Sequence, residues 1–115
     1  VAWQYPALGA ALLLAVFVEL APRHAAPAAG SPAASLADIQ PIVVARCTGC
    51  HAARPTLIPA APAGVLLDSA EAIRANGPRI LAQAVQLKAM PLGNVTGMTD
   101  SERERIAAWA AGGYR

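Results

Sequence analysis

The sequence predicts an all-α chain, and three observations carry that reading. Alanine is abundant in a composition that is 56% apolar and only 14% charged, which favours helix over sheet. Two stretches, Ser35-Leu-Ala-Asp38 and Thr99-Asp-Ser-Glu102, place a hydroxyl residue three positions before an acidic one, a signature of a helix start. No stretch alternates apolar and polar residues as a half-buried strand does. With 115 residues the chain has room for one small domain and a modest core. A formal charge of +2, with no Lys/Arg cluster, argues against a nucleic-acid partner.

Residues 1–21 are mostly apolar, and Pro6 through Val18 form an unbroken apolar run. That run is shorter than the ~20 residues that span a bilayer. It is read as the end of a truncated transmembrane helix, with Trp3 and Tyr5 near an interface or neighbouring helices. A signal-peptide core is the rival reading, although a basic leader and an initiating Met are missing. Residues 22–34 are rich in proline and alanine and read as a linker, in which His24 is a solvated side chain.

Residues 35–115 make up the domain. Its first helix starts near Ser35 and carries Leu36, Ile39 and Val43 on one face, which Cys47 continues. Pro41 is an interior residue if Ser35 is the cap and a first-turn residue if Asp38 is, and the sequence leaves both open. Prolines 55, 59 and 62 forbid a helix through the stretch ending at Gly64. A short helix is expected over about Ser69 to Ala75, capped by Asp68 with Glu71 three residues on. Asn76-Gly77-Pro78 breaks it, and Pro78 is suited to starting the next helix, whose stripe is Ile80, Ala84 and Leu87. That helix ends before Met90-Pro91. The last helix follows the Thr99–Glu102 box, buries Ile106, Trp109 and Ala110, keeps Glu102 to Arg105 in polar first turns, and stops at Gly112-Gly113. Trp109 is expected to pack against the first domain helix.

The residues that carry chemistry are Cys47-Thr48-Gly49-Cys50-His51. Cys-x-x-Cys-His is the attachment signature of c-type haem. Two thiols at this spacing can add across the two vinyl groups of one porphyrin, and the next residue, His51, arrives beneath the iron as an axial ligand. Thr48 and Gly49 are small enough to let the backbone approach the macrocycle. A zinc site needs about four ligands, and beyond this motif the chain offers only His24 among its two cysteines and two histidines. A thioredoxin-like pair belongs beside a β-α-β pattern, which is not seen. A ligating histidine usually gives its other ring N–H to a carbonyl, and the loop after His51 is the natural supplier.

The second axial ligand is assigned to Met90. It lies in Met90-Pro-Leu-Gly-Asn-Val-Thr-Gly-Met98, a loop of turn formers, and Pro91 stiffens it. Met98 directly precedes the final cap, where an apolar residue often packs inward, and either methionine can serve as core filler. One covalent haem c, placed outside the cytoplasm where such haem is attached, is therefore expected. With both axial positions taken the domain is an electron-transfer module and needs no catalytic residue of its own. A haem sensor or peroxidase-like enzyme would need an open position and a distal acid–base group.

The helix running into Cys-x-x-Cys-His, the later Met-Pro loop and the capped final helix with Trp109 resemble class I cytochrome c domains over about Ser35 to Arg115. Ala89 through Arg105, together with Cys50 through Thr56 and Gly64 through Asp68, is similar to the cytochrome tail of the membrane-bound urate hydroxylase family. That resemblance implies Cys47 and Cys50 as attachment sites and His51 and Met90 as axial ligands. It also implies an upstream membrane oxidase domain converting urate to 5-hydroxyisourate, a respiratory electron acceptor, and a membrane anchor with the cytochrome on the periplasmic side. A free-standing anchored or secreted mono-haem carrier is the alternative.

Overall fold

The computed structural model describes residues 2–20 and 32–115, and among these it is helical with no strand. The expected linker and His24 lie almost wholly outside the described residues. Helix α1 covers Gln4–Leu20, 17 residues. Pro6 falls in its first turn, where a missing N–H removes no internal bond. Leu12, Leu13 and Phe17 are exposed on it. The helix occupies the stretch read as the end of a truncated transmembrane helix. Among the described residues no helix is long and apolar enough to cross a membrane, because 17 residues rise only about 25 Å against a hydrocarbon core of about 30 Å.

The domain opens with α2, Leu36–Arg46. Ser35 is its cap: the Ser35 N–H donates to Asp38 Oδ2 at 2.8 Å, and Ser35 Oγ accepts from the Asp38 N–H at 3.4 Å. Pro41 is therefore an interior residue. Both Pro41 and Ala37, whose carbonyl it cannot serve, lie on the exposed side of the helix. The lost bond thus falls where water can replace it, and the buried side keeps Ile39 and Val43.

Helix α3, Ala70–Ala75, is capped by Ser69 and not by Asp68. Ser69 Oγ accepts from the Ala72 N–H at 3.1 Å, while the Asp68 carboxylate accepts from the Ala53 N–H at 2.7 Å. Adjacent Asp and Ser are both good caps, and a long-range donor takes the Asp. Helix α4 starts at Gly77 and runs to Ile80, where the winding widens into a π-helix over Leu81–Gln86. The Leu87 N–H then donates to the Ala82 carbonyl at 2.9 Å, one residue further back than in an α-helix. The wider turn rotates Leu87 off the Ile80–Ala84 face, so Leu87 is exposed where its spacing predicted burial.

Helix α5, Asp100–Ala111, begins with the expected box: the Thr99 N–H donates to Glu102 Oε2 at 2.8 Å and the Glu102 N–H to Thr99 Oγ1 at 3.2 Å. It ends at Gly112. Ile106 and Trp109 are buried as expected, Ala108 is buried too, and Ala110 is only half-buried. Arg103, expected in the polar first turns, is buried.

Helices α2 and α5 pack together, and Trp109 joins Ile39, Val43, Ile73, Ile80 and Ile106 in one core. Ala34, from the stretch read as linker, is also in that core. The Arg115 carbonyl accepts from Trp109 Nε1–H at 3.1 Å and from the Leu36 N–H at 2.7 Å, which ties the start of α2 to the chain after α5. Tyr114 meets Trp109 edge-on, with ring centroids 5.0 Å apart. The ring of Tyr114 lies over Gly77, where an added Cβ would sit 2.8 Å from Cε1 and 3.0 Å from Cγ. A Gly77→Ala variant must therefore push Tyr114 off Trp109. It should lose about 1–3 kcal/mol in chemical denaturation, and an unchanged midpoint would mean that the ring moves freely.

Candidate functional site

The Cys47–His51 motif is a single tight turn at the end of α2. The Cys47 N–H donates to the Val43 carbonyl at 2.8 Å and so continues the helix. The Cys47 carbonyl then accepts from the N–H groups of Cys50, at 3.1 Å, and His51, at 2.8 Å. Both thiols and the imidazole thus spring from one turn of backbone. Gly49 is half-buried, and its carbonyl accepts from the N–H groups of Thr56 and Leu57 at 3.0 and 2.9 Å. A Cβ on Gly49 would lie 2.8 Å from Leu57 Cδ1. The glycine therefore makes room for the loop that folds back over the motif, a role its spacing alone does not reveal.

His51 is held at two points by the segment after that loop, and Ala53 at a third. Its Nδ1 lies 3.1 Å from the Val65 carbonyl, one residue beyond the loop read as the natural supplier. Its own carbonyl accepts from the Leu67 N–H at 2.8 Å. Two residues on, the Ala53 N–H is taken by Asp68. A carbonyl oxygen only accepts, so Nδ1 is the donor here and Nε2 is the nitrogen left to bind a metal in the neutral tautomer. The arrangement yields an oriented imidazole whose Nε2 is the nitrogen available as a ligand.

Cys47 has the opposite character to a redox-active thiol. Burial pushes the Cys47 thiol up to about 11, with smaller contributions from the Cys50 thiol and the Glu102 carboxylate. A disulfide-exchanging cysteine has its pKa lowered, and zinc takes the thiolate form. Among the described residues no three His, Cys, Asp or Glu side chains gather into a cage that could hold a metal ion.

The two methionines are sharply different. Met98 is 4% exposed and belongs to the core. The Asn94 side chain brackets it, accepting from the Met98 N–H at 2.9 Å and donating to its carbonyl at 3.1 Å. Met90 is half-buried, and its backbone is held on both sides: its N–H donates to the Gln83 carbonyl at 3.0 Å, and its carbonyl accepts from Arg103 Nη1 at 3.0 Å.

Two arginines missed by sequence reasoning join these parts. Arg46, immediately before Cys47, donates through Nη1 to the Thr96 carbonyl at 2.5 Å, and Thr96 Oγ1 donates back to the Arg46 carbonyl at 2.9 Å. Its Nε and Nη2 grip Glu102 at 3.1 Å. The turn bearing the cysteines is thereby tied both to the methionine segment and to the cap of α5. Arg103 Nη1 also donates to the Ala84 carbonyl. Neither arginine sits in a motif; only Glu102, through its capping box, was visible as a special position.

Comparison with protein-family models, curated proteins and solved structures finds no match to this chain. Glu102 is held below the usual glutamate pKa, first by the Thr99 N–H and then by Arg46. A lowered folded-state pKa means that this contact stabilises fully above about pH 4.5, the group's ordinary value, and is lost as pH falls through the folded value. Glu102→Gln should therefore be less stable by about 1 kcal/mol at neutral pH and should lose less on acidification than wild type. Thermal melts across that range check it, and parallel declines would assign the acid sensitivity elsewhere.

Proposed function

We propose that residues 35–115 form a mono-haem c-type cytochrome domain that carries electrons, with Cys47 and Cys50 as attachment sites and His51 and Met90 as axial ligands. The observation that carries this reading is the imidazole beside the cysteine pair. Val65 takes the Nδ1 proton of His51, so Nε2 is left for iron at the motif position where a proximal ligand belongs. When bound, haem supplies an iron that alternates between two oxidation states, and histidine–methionine ligation raises its reduction potential.

The chain's own residues divide the remaining work. Cys47 and Cys50 would hold the haem through thioether bonds. His51, oriented by Val65 and with its backbone fixed by Leu67, would be one ligand to the iron. Met90 would be the other, since Met98 is committed to the core. Leu57 and Leu66, in the segments that brace the motif, and Leu87 and Val95, before and after Met90 in the chain, are exposed apolar side chains that a bound porphyrin could cover.

The sequence resemblance supports a finer proposal. An upstream membrane domain would oxidise urate to 5-hydroxyisourate, and this domain would take the electrons on the periplasmic side and pass them to a respiratory acceptor. Helix α1 would belong to the membrane anchor. The other reading is a free-standing anchored or secreted carrier. The upstream coding sequence separates them: further hydrophobic segments favour the first, and a start codon with a basic leader favours the second.

Expressed in a periplasm that matures c-type haem, the protein should give a haem-stained band on denaturing gels. Cys47→Ala should weaken or abolish that band, and undiminished staining would sink the attachment assignment. Met90→Ala should lower the reduction potential and open the reduced protein to carbon monoxide, while Met98→Ala should do neither. Loss of the methionine–iron charge-transfer band in the Met98 variant would transfer the ligand role to Met98.

A further inference from the structure

We infer that Arg103 is the positioning residue for the Met90 ligand, acting through a carbonyl platform supplied by the π-helix of Leu81–Gln86. The inference rests on the haem reading above and deepens it. In an α-helix the Gln83 carbonyl would accept from the Leu87 N–H. Here the π winding sends that N–H to Ala82 instead, and the Gln83 carbonyl receives the Met90 N–H at 3.0 Å. The next carbonyl, Ala84, receives Arg103 Nη1, and the same nitrogen donates to the Met90 carbonyl at 3.0 Å. Both backbone polar groups of Met90 are thus fixed to consecutive carbonyls of one turn, one directly and one through Arg103.

Burial strengthens this bridge. Arg103 is 7% exposed, and a guanidinium stays charged at any ordinary pH. Charge-assisted bonds to carbonyls in such a setting are about twice as strong as neutral ones. Met90 has two backbone attachments and three rotatable side-chain bonds between them and any iron. Loosening the carbonyl attachment frees the backbone dihedral that aims the thioether. The opposite end of the segment is held separately, by Arg46 at Thr96, so Arg103 governs the methionine end alone.

The test uses the haem-loaded protein and compares Arg103→Leu, Arg103→Lys and Ile39→Val with wild type. Ile39 is fully buried on α2, so its truncation reports general destabilisation. Arg103→Leu should weaken the methionine–iron charge-transfer band and speed carbon monoxide binding to the reduced protein by about tenfold or more, the equivalent of one or two charge-assisted hydrogen bonds. Arg103→Lys, which keeps a cation and one point of donation, should fall between, and it serves alone if the leucine variant does not fold. Ile39→Val should lower the melting temperature with band and rate unchanged. Arg103 variants with wild-type band and rate would overturn the inference while leaving the haem reading intact, and so would equal effects from Ile39→Val. A wild type purified without covalent haem would overturn both.

Discussion

The grip of Arg46 on Glu102 and Thr96 is the contact on which the rest of the domain depends. Its guanidinium reaches the carboxylate through Nε and Nη2 and a carbonyl through Nη1, so one side chain touches α5 and the methionine segment at once. Glu102 is spoken for on its far side by the Thr99 N–H, and Thr96 returns a bond to the Arg46 carbonyl. The ion pair taken alone is half-exposed and worth little. The closed circuit is worth more, because removing Arg46 also leaves the Thr96 carbonyl without its donor. The residue after Arg46 is the first cysteine, so the circuit decides where the Cys47–His51 turn sits against everything that follows it.

Around that circuit the domain is closed by a second set of long-range contacts. The Arg115 carbonyl joins Trp109 to Leu36, and Asp38 pairs with Arg105 at 3.0 Å. Helices α2 and α5 are therefore linked at both ends: at the Ser35 end through Asp38 and Arg115, and at the Cys47 end through Arg46. Between the two links lie Ile39, Val43, Ile106 and Trp109, the most deeply buried large side chains with Ile73. The helices α3 and α4 are short, and a chain of this size builds only a modest core. Fixed ends let that core hold the motif turn steady.

What could be read in the sequence follows from the range over which each contact acts. The caps at Ser35 and Thr99, the helix faces carrying Ile39, Val43, Ile106 and Trp109, and the inward turn of Met98 depend on residues a few positions apart, and periodicity and capping chemistry capture them. The choice between Asp68 and Ser69 turned on Ala53, a donor 15 positions upstream of Asp68 that no local pattern contains. Leu87 was misplaced because a stripe drawn at helical spacing presumes α winding, and the chain winds wider before reaching it. Arg103 was misplaced because its neighbours Glu102, Glu104 and Arg105 make a polar run, and a run of charges ordinarily faces water. The site followed the same rule. Cys47, Cys50 and His51 are a local motif, while Val65, Arg46 and Arg103, which orient the motif and the methionine segment, meet their partners only through the fold.

The open carbonyls of Ala84 and Met90 explain how a charged side chain can be buried there at all. A guanidinium removed from water costs several kcal/mol unless other groups replace its hydration. Helices rarely offer that replacement, since their carbonyls are used internally except in the last turn. By passing the Leu87 N–H to Ala82, the π register frees the Gln83 carbonyl beside the last-turn carbonyl of Ala84. One takes the Met90 N–H and the other takes Arg103. Were the same residues wound as an α-helix, Leu87 would return to the buried face, Gln83 would bond within the helix, and the Met90 N–H would lose its acceptor. The exposed Leu87 and the bond from the Met90 N–H to Gln83 are thus two consequences of one change in winding, and Arg103 bonds to the neighbouring Ala84 carbonyl. Both place their effect at the segment that carries Met90.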